Sequence, residues 1–188
     1  MIKKHGIIYI ASFLVLLFCS GFFTHLLADS HRHRERNHGR GGENRFQNKN
    51  DFKPVTDTTY KFTCGGCHFP YPPELLPAAS WGKIINQVDQ HFGEQVPIDP
   101  SAKGVISKYL AENGADRSSA KKARKIVICL KGRSPLRITE IPYIQKKHRG
   151  IKPEVLNRKT IGSLSNCIAC HKTAEQGNFD EDYVTIPK

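Results

Sequence analysis

Methionine is almost missing from this sequence: the 188 residues contain one, Met1. No thioether sulfur is therefore on offer to a metal anywhere in the body of the chain. An alternating apolar–polar run of any length is also lacking, which removes the pattern of a half-buried strand. Acid is scarce. There are 17 Asp and Glu against 29 Lys and Arg, giving a net charge of +12, and such an excess suits an anionic partner. The excess is spread out, however. Its densest run is Lys121, Lys122, Arg124 and Lys125. No aromatic residue interleaves with that run, as a stacking surface for nucleic acid requires. No nucleic-acid partner is expected, and the run reads as a solvated helix face.

What the sequence does have at its start is an apolar stretch. Lys3 and Lys4 precede the uncharged residues Gly6 to Ala28. Such a segment is either a signal peptide cut near Ala28 or a membrane anchor. Leu26 is large for its place before a cut, and the length suffices to span a bilayer. Cys19 follows Phe18, too bulky to precede a lipid-accepting cysteine, so it reads as one more apolar residue. Either way residues 29–188 leave the cytoplasm. The expected location is the periplasm, anchored to the inner membrane through residues 6–28 if that segment is retained, with no other membrane contact. Residues 29–55 are polar, Gly-rich and basic, with almost nothing to bury. They read as a disordered linker, in which His31, His33 and His38 are solvated.

The folded part is expected from about Val55. Pro70, Pro72, Pro73 and Pro77 stiffen an extended segment. Next, Ser80 is placed to cap a helix and Gly93 to end it. Trp81, Ile84, Ile85, Val88 and Phe92 recur there at helical spacing, with His91 on the same face. A second helix is expected from Asp99-Pro100, burying Val105, Ile106, Tyr109 and Leu110 and stopping at Gly114. Residues 118–130 suggest a third. Ile141, Ile144 and His148 share a helical face, with Pro142 acceptable in its first turn. A last short helix carries "GSLSNCIACHK". The fold class is mainly α, with long loops.

Two short stretches carry the chemistry. Cys64, Cys67 and His68 form one C-x-x-C-H motif, and Cys167, Cys170 and His171 form another. Two copies do not arise by chance at this composition. A thiol–disulfide motif would use only the cysteines and would sit in a βαβ unit, a context that is missing. A zinc site would join Cys64, Cys67, Cys167 and Cys170 as four thiolates, leaving the adjacent histidines unexplained. Covalent haem accounts for every position. Two cysteines form thioethers to one porphyrin, and the next residue lies under the iron as proximal ligand. The attachment is made outside the cytoplasm, in agreement with the export segment. Two haem c groups are therefore expected.

The sixth ligands follow from counting. Met/His ligation has no methionine to use. With the linker and proximal histidines set aside, His91 and His148 remain, one for each haem. His91 lies 23 residues after His68, and His148 lies 23 before His171. Local pairing gives His68 with His91 and His148 with His171, and a crossed pairing stands as the alternative. Two imidazoles on each iron leave no vacant place and favour the ferric state, so low potentials are expected. The residues thus describe an electron carrier, not an enzyme, with no catalytic residue assigned. The competing readings are a dihaem peroxidase or gas-sensing protein in which one distal histidine is displaced, and a zinc-stapled binding module.

From Thr63 onward the sequence resembles the bacterial soluble dihaem cytochrome c family. The residues that carry the likeness are "CGGCH", "LLPAASW", "HFG", "RITEIPYIQKKHRG" and "CIACHKTAEQGNFDED". The resemblance implies two bis-histidine haems in two small domains, here residues 56–115 and 116–188. It implies His68 and His171 as proximal and His91 and His148 as distal ligands. It also implies electron exchange with other redox proteins. Some members are similar to the partner of a small oxygen-binding monohaem cytochrome c, often beside a membrane b-type cytochrome. The chain departs from the usual pattern in its His/Arg-rich linker and in Cys129, which is expected to be buried and inert.

Overall fold

The computed structural model describes residues 51–188. The expected export segment and most of the expected linker lie outside the described residues. Those described belong to one compact unit. The expected linker does not extend to residue 55. Asp51 already pairs with Lys122, and Phe52 is buried with its N–H donating to the Gly177 carbonyl at 3.0 Å. Among the described residues no helix is long and apolar enough to cross a membrane.

The architecture is mainly helical, as expected, and the described residues contain only two isolated β-bridges, with no named strand. Helix α1 spans Thr58–Gly65 and α2 Ala78–Asn86, followed by a 3-10 turn, Val88–Gln90. Helices α3 (Pro100–Glu112) and α4 (Lys121–Leu130) form the middle of the fold. Helices α5 (Pro142–His148), α6 (Pro153–Leu156) and α7 (Cys167–Cys170) complete it. Helix α3 packs against α1 and α2, and α4 against α5. Tyr60, Leu76, Ile106, Leu110, Ile126 and Ile141 are fully buried in one core cluster. That cluster draws residues from both sides of the expected boundary at 115/116, which falls inside the 3-10 turn Ala115–Arg117.

Local chemistry explains the helix limits. Asp57 caps α1, its carboxylate accepting from the Tyr60 N–H at 2.7 Å, which satisfies one of the orphan donors of a helix start. Pro100 occupies the first turn of α3 beneath the Asp99 cap, as expected. Helix α2 departs from expectation. It starts at Ala78 because Asp116, from a distant segment, accepts from the Ala78 N–H at 2.7 Å. Ser80 therefore does not cap it and is fully buried inside. The helix ends at Asn86, since Gln87 turns out of helical conformation. Phe92 consequently leaves the expected apolar face and is 45% exposed, with φ +56. Val105 is likewise exposed, although its neighbours Ile106 and Leu110 are buried as expected. Gly114 serves a close approach instead of a left-handed stop: a Cβ there would lie 2.7 Å from the Ala78 nitrogen.

Candidate functional site

The two C-x-x-C-H motifs are built differently. Cys64 rides on the last turn of α1, and Cys67 and His68 follow in the turn after it. Cys167 and Cys170 bracket the four-residue α7, and His171 caps it. The second motif is steadied by a bridge from His171 to Val184 and by the Thr185 N–H, which donates to the Cys170 carbonyl at 3.0 Å. His148 closes α5, as the sequence suggests. His91 does not sit on a helix face; it caps the 3-10 turn after α2 and bridges to Glu94.

The four histidines meet in two pairs. The rings of His68 and His91 lie 6.1 Å apart between centroids, with planes 16° apart. Those of His148 and His171 lie 6.0 Å apart, with planes at 68°. The arrangement is local, not crossed. A direct imidazole–imidazole hydrogen bond would bring the centroids to about 5.1 Å, adding two ring radii to a bond of about 2.9 Å. A metal bonded at about 2 Å to each ring instead separates the centroids by about 6.2 Å, taking a ring radius of about 1.1 Å from bonds of about 1.33 Å. Both pairs match the second spacing.

Hydrogen bonding sets the ring chemistry. His68 Nδ1 lies 2.8 Å from the Phe69 carbonyl oxygen, and His148 Nδ1 2.8 Å from that of Ile144. A carbonyl only accepts, so Nδ1 carries the proton and Nε2 is left with its lone pair. Burial, reinforced by His148 and Lys122, lowers the His171 pKa to about 4. Burial lowers that of His91 too, with His68 and Arg137 adding to it. Both rings are therefore neutral near pH 7, the form that binds metal. The thiols behave oppositely. Burial, with Cys67 nearby, pushes Cys64 up to about 11, and burial does the same to Cys167. A site that penalises thiolate suits sulfur in an uncharged thioether.

One cleft of about 890 Å³ is lined by both motifs, both distal histidines and apolar side chains that include Leu76, Ile84 and Ile144. Its apolar walls, facing imidazoles and neutral sulfurs fit haem. The zinc alternative finds no geometry among the described residues. The five described cysteines are unpaired. No three His, Cys, Asp or Glu side chains gather as a metal site among the described residues, so the four thiols do not form a staple. Cys129 is half-buried, not buried.

Several residues that serve this cleft escape a reading of the sequence. The Tyr71 ring stacks on His68 at 5.0 Å, and its hydroxyl donates to the Ser165 carbonyl at 2.8 Å, tying the first motif to the approach of the second. Phe179 tilts against His171 at 5.3 Å, and Phe52 packs edge-on against Phe179. Lys122 reaches from α4 to Asp51 and to the Phe179 carbonyl. Only the family-like segment around Phe179 held a signal for any of them.

A family model described as dihaem cytochrome c matches residues 60–179. Among solved structures, a dihaem cytochrome c from Rhodobacter sphaeroides is 39% identical. Its alignment covers 68% of this chain and 99% of that one, with a TM-score of 0.60. A dihaem cytochrome c from Shewanella baltica is 34% identical over 69% of this chain and 92% of its own, with a TM-score of 0.57. No curated protein matches the chain.

Proposed function

This chain belongs to the dihaem cytochrome c family, with two covalently bound c-type haems and electron transfer as the family's work, and from that premise we propose that it relays electrons between redox partners outside the cytoplasm through two low-potential, bis-histidine haems. Cys64 and Cys67 hold one haem, and Cys167 and Cys170 the other. His68 and His91 would hold the first through their ring nitrogens, and His148 and His171 the second. The observation that carries this reading is the pair of imidazole–imidazole spacings, 6.1 and 6.0 Å.

Each haem, when bound, supplies a one-electron ferric–ferrous couple. The protein's part is to hold it. Nδ1 donation from His68 and His148 orients those rings and makes their Nε2 atoms better donors. Imidazole on both sides stabilises the ferric state more than a thioether would, which places the potentials low. The proposed donor is a quinol-linked membrane protein such as a b-type cytochrome. The proposed acceptor is a soluble redox protein, among them a small oxygen-binding monohaem cytochrome c. The support for these partners is the family resemblance.

A reduced-minus-oxidised spectrum with haem quantification should give c-type bands and two haems per chain. His91→Ala and His148→Ala should each convert one haem, and only one, to the high-spin form. If either variant keeps both haems low-spin, that ligand assignment is lost.

A further inference from the structure

The two imidazole pairs are not held alike. His148 lies in α5, its Nδ1 fixed to the Ile144 carbonyl, and that helix begins at the fully buried Ile141. His91 stands on a short turn, with no hydrogen bond to its ring from any described residue. The next residue, Phe92, has φ +56, a conformation that bulky side chains rarely adopt and that stores strain. Its ring meets His91 at 4.8 Å and 60°. The guanidinium of Arg137 covers the same ring, 4.1 Å from its centroid. Arg137 is exposed and belongs to the segment leading to α5. A cation thus clamps the aromatic ring that backs the distal histidine of the first pair. Among the described residues no such contact exists at His148.

We infer that His91 is the exchangeable ligand: it swings off on its strained turn and a small neutral diatomic molecule takes its place, while His148 stays bound. The contact between Phe92 and Arg137 is the latch that opposes this. The inference rests on the bis-histidine reading above. One coordinate bond, from His91 Nε2, breaks and one to the incoming ligand forms; no electron or proton moves. Phe92 and Arg137 act through His91 and are positioning residues.

The test uses carbon monoxide on the reduced, haem-loaded protein, reading both rate and stoichiometry. The parent should bind one molecule per chain, slowly. H91A should bind one per chain, without the slow step. R137A and F92L should each speed binding about two- to five-fold, the equivalent of an exposed cation–π contact, and R137K should fall between parent and R137A. The double variant should be no faster than the faster single one, because both remove one contact. Without carbon monoxide, all four latch variants should keep the parent's low-spin spectrum. A parent that binds none or two, or an H91A that raises the count from one to two, overturns the assignment of exchange to His91. Unchanged rates in both R137A and F92L overturn the latch. A parent already high-spin before carbon monoxide is added would instead defeat the bis-histidine reading itself.

Discussion

Gly177 offers a sharp test of how the chain near Asp51 is held beside His171. Its φ is +75, and a Cβ there would stand 2.2 Å from the Phe52 carbonyl oxygen. Gly162 has nearly the same φ, +78, but open space around it. Alanine at Gly162 meets only the left-handed backbone, a cost of about 1 kcal/mol. Alanine at Gly177 meets that cost and must also push Phe52 away. The Phe52 ring is 3% exposed, so uncovering it costs about 2 kcal/mol. Its N–H bond to the Gly177 carbonyl adds about 1 kcal/mol. G177A should therefore be less stable than G162A by about 3 kcal/mol. Guanidinium unfolding of the two haem-loaded variants, followed by circular dichroism, measures the difference as a shift in midpoint at constant slope. Equal losses in the two variants would refute the claim that this glycine exists to admit the Phe52 backbone.

Three further outcomes follow from the same coordinates. Ferric EPR should show two distinct low-spin signals, one rhombic and one strongly axial, because the imidazole planes are near-parallel in one pair and near-perpendicular in the other; a single signal accounting for both haems contradicts the geometry. Ile126→Ala, at a fully buried core position, should cost about 2–5 kcal/mol in denaturant unfolding, and a loss below 1 kcal/mol would show that the core relaxes around it. Asp57→Ala removes the cap of the helix that carries Cys64 and should cost about 1 kcal/mol, measured in the same way, with Asp57→Asn recovering most of it.

That His91 lies near His68, and His148 near His171, agrees with the proximity expected from the sequence, where few residues compete for the proposed role. The chain offers no second methionine, and His91 and His148 lie at equal distances from the two motifs. Helices α3 and α5 were legible from apolar spacing and from Asp99, Pro100 and Pro142, whereas residues 118–130 only suggested α4. Helix α1 was not. It buries one residue, Tyr60, and so leaves almost no periodic signal. The true start of α2 was equally hidden, because its cap comes from Asp116, and long-range capping has no local pattern. His91 was assigned to a helix face because the apolar spacing continues past the point where Gln87 breaks the backbone. Arg137 and Phe179 fall in segments that carry the family resemblance, but neither they nor Tyr71 stood out as site residues, for a simpler reason. Each matters through one contact with a residue far away in sequence or through a ring stacked on a histidine, and spacing does not encode such contacts.

Both imidazole pairs open into one cleft. In low-dielectric surroundings, a charge placed at one centre is felt at the other. With a haem at each pair, the first electron to arrive would make the second harder to add, and the two midpoints of a redox titration would belong to the molecule and not to either haem alone. Such a protein takes up its second electron across a wider span of potential than two isolated centres would. A donor of fixed potential would then meet a graded acceptor, and the half-reduced molecule would be a populated species from which a one-electron partner could draw.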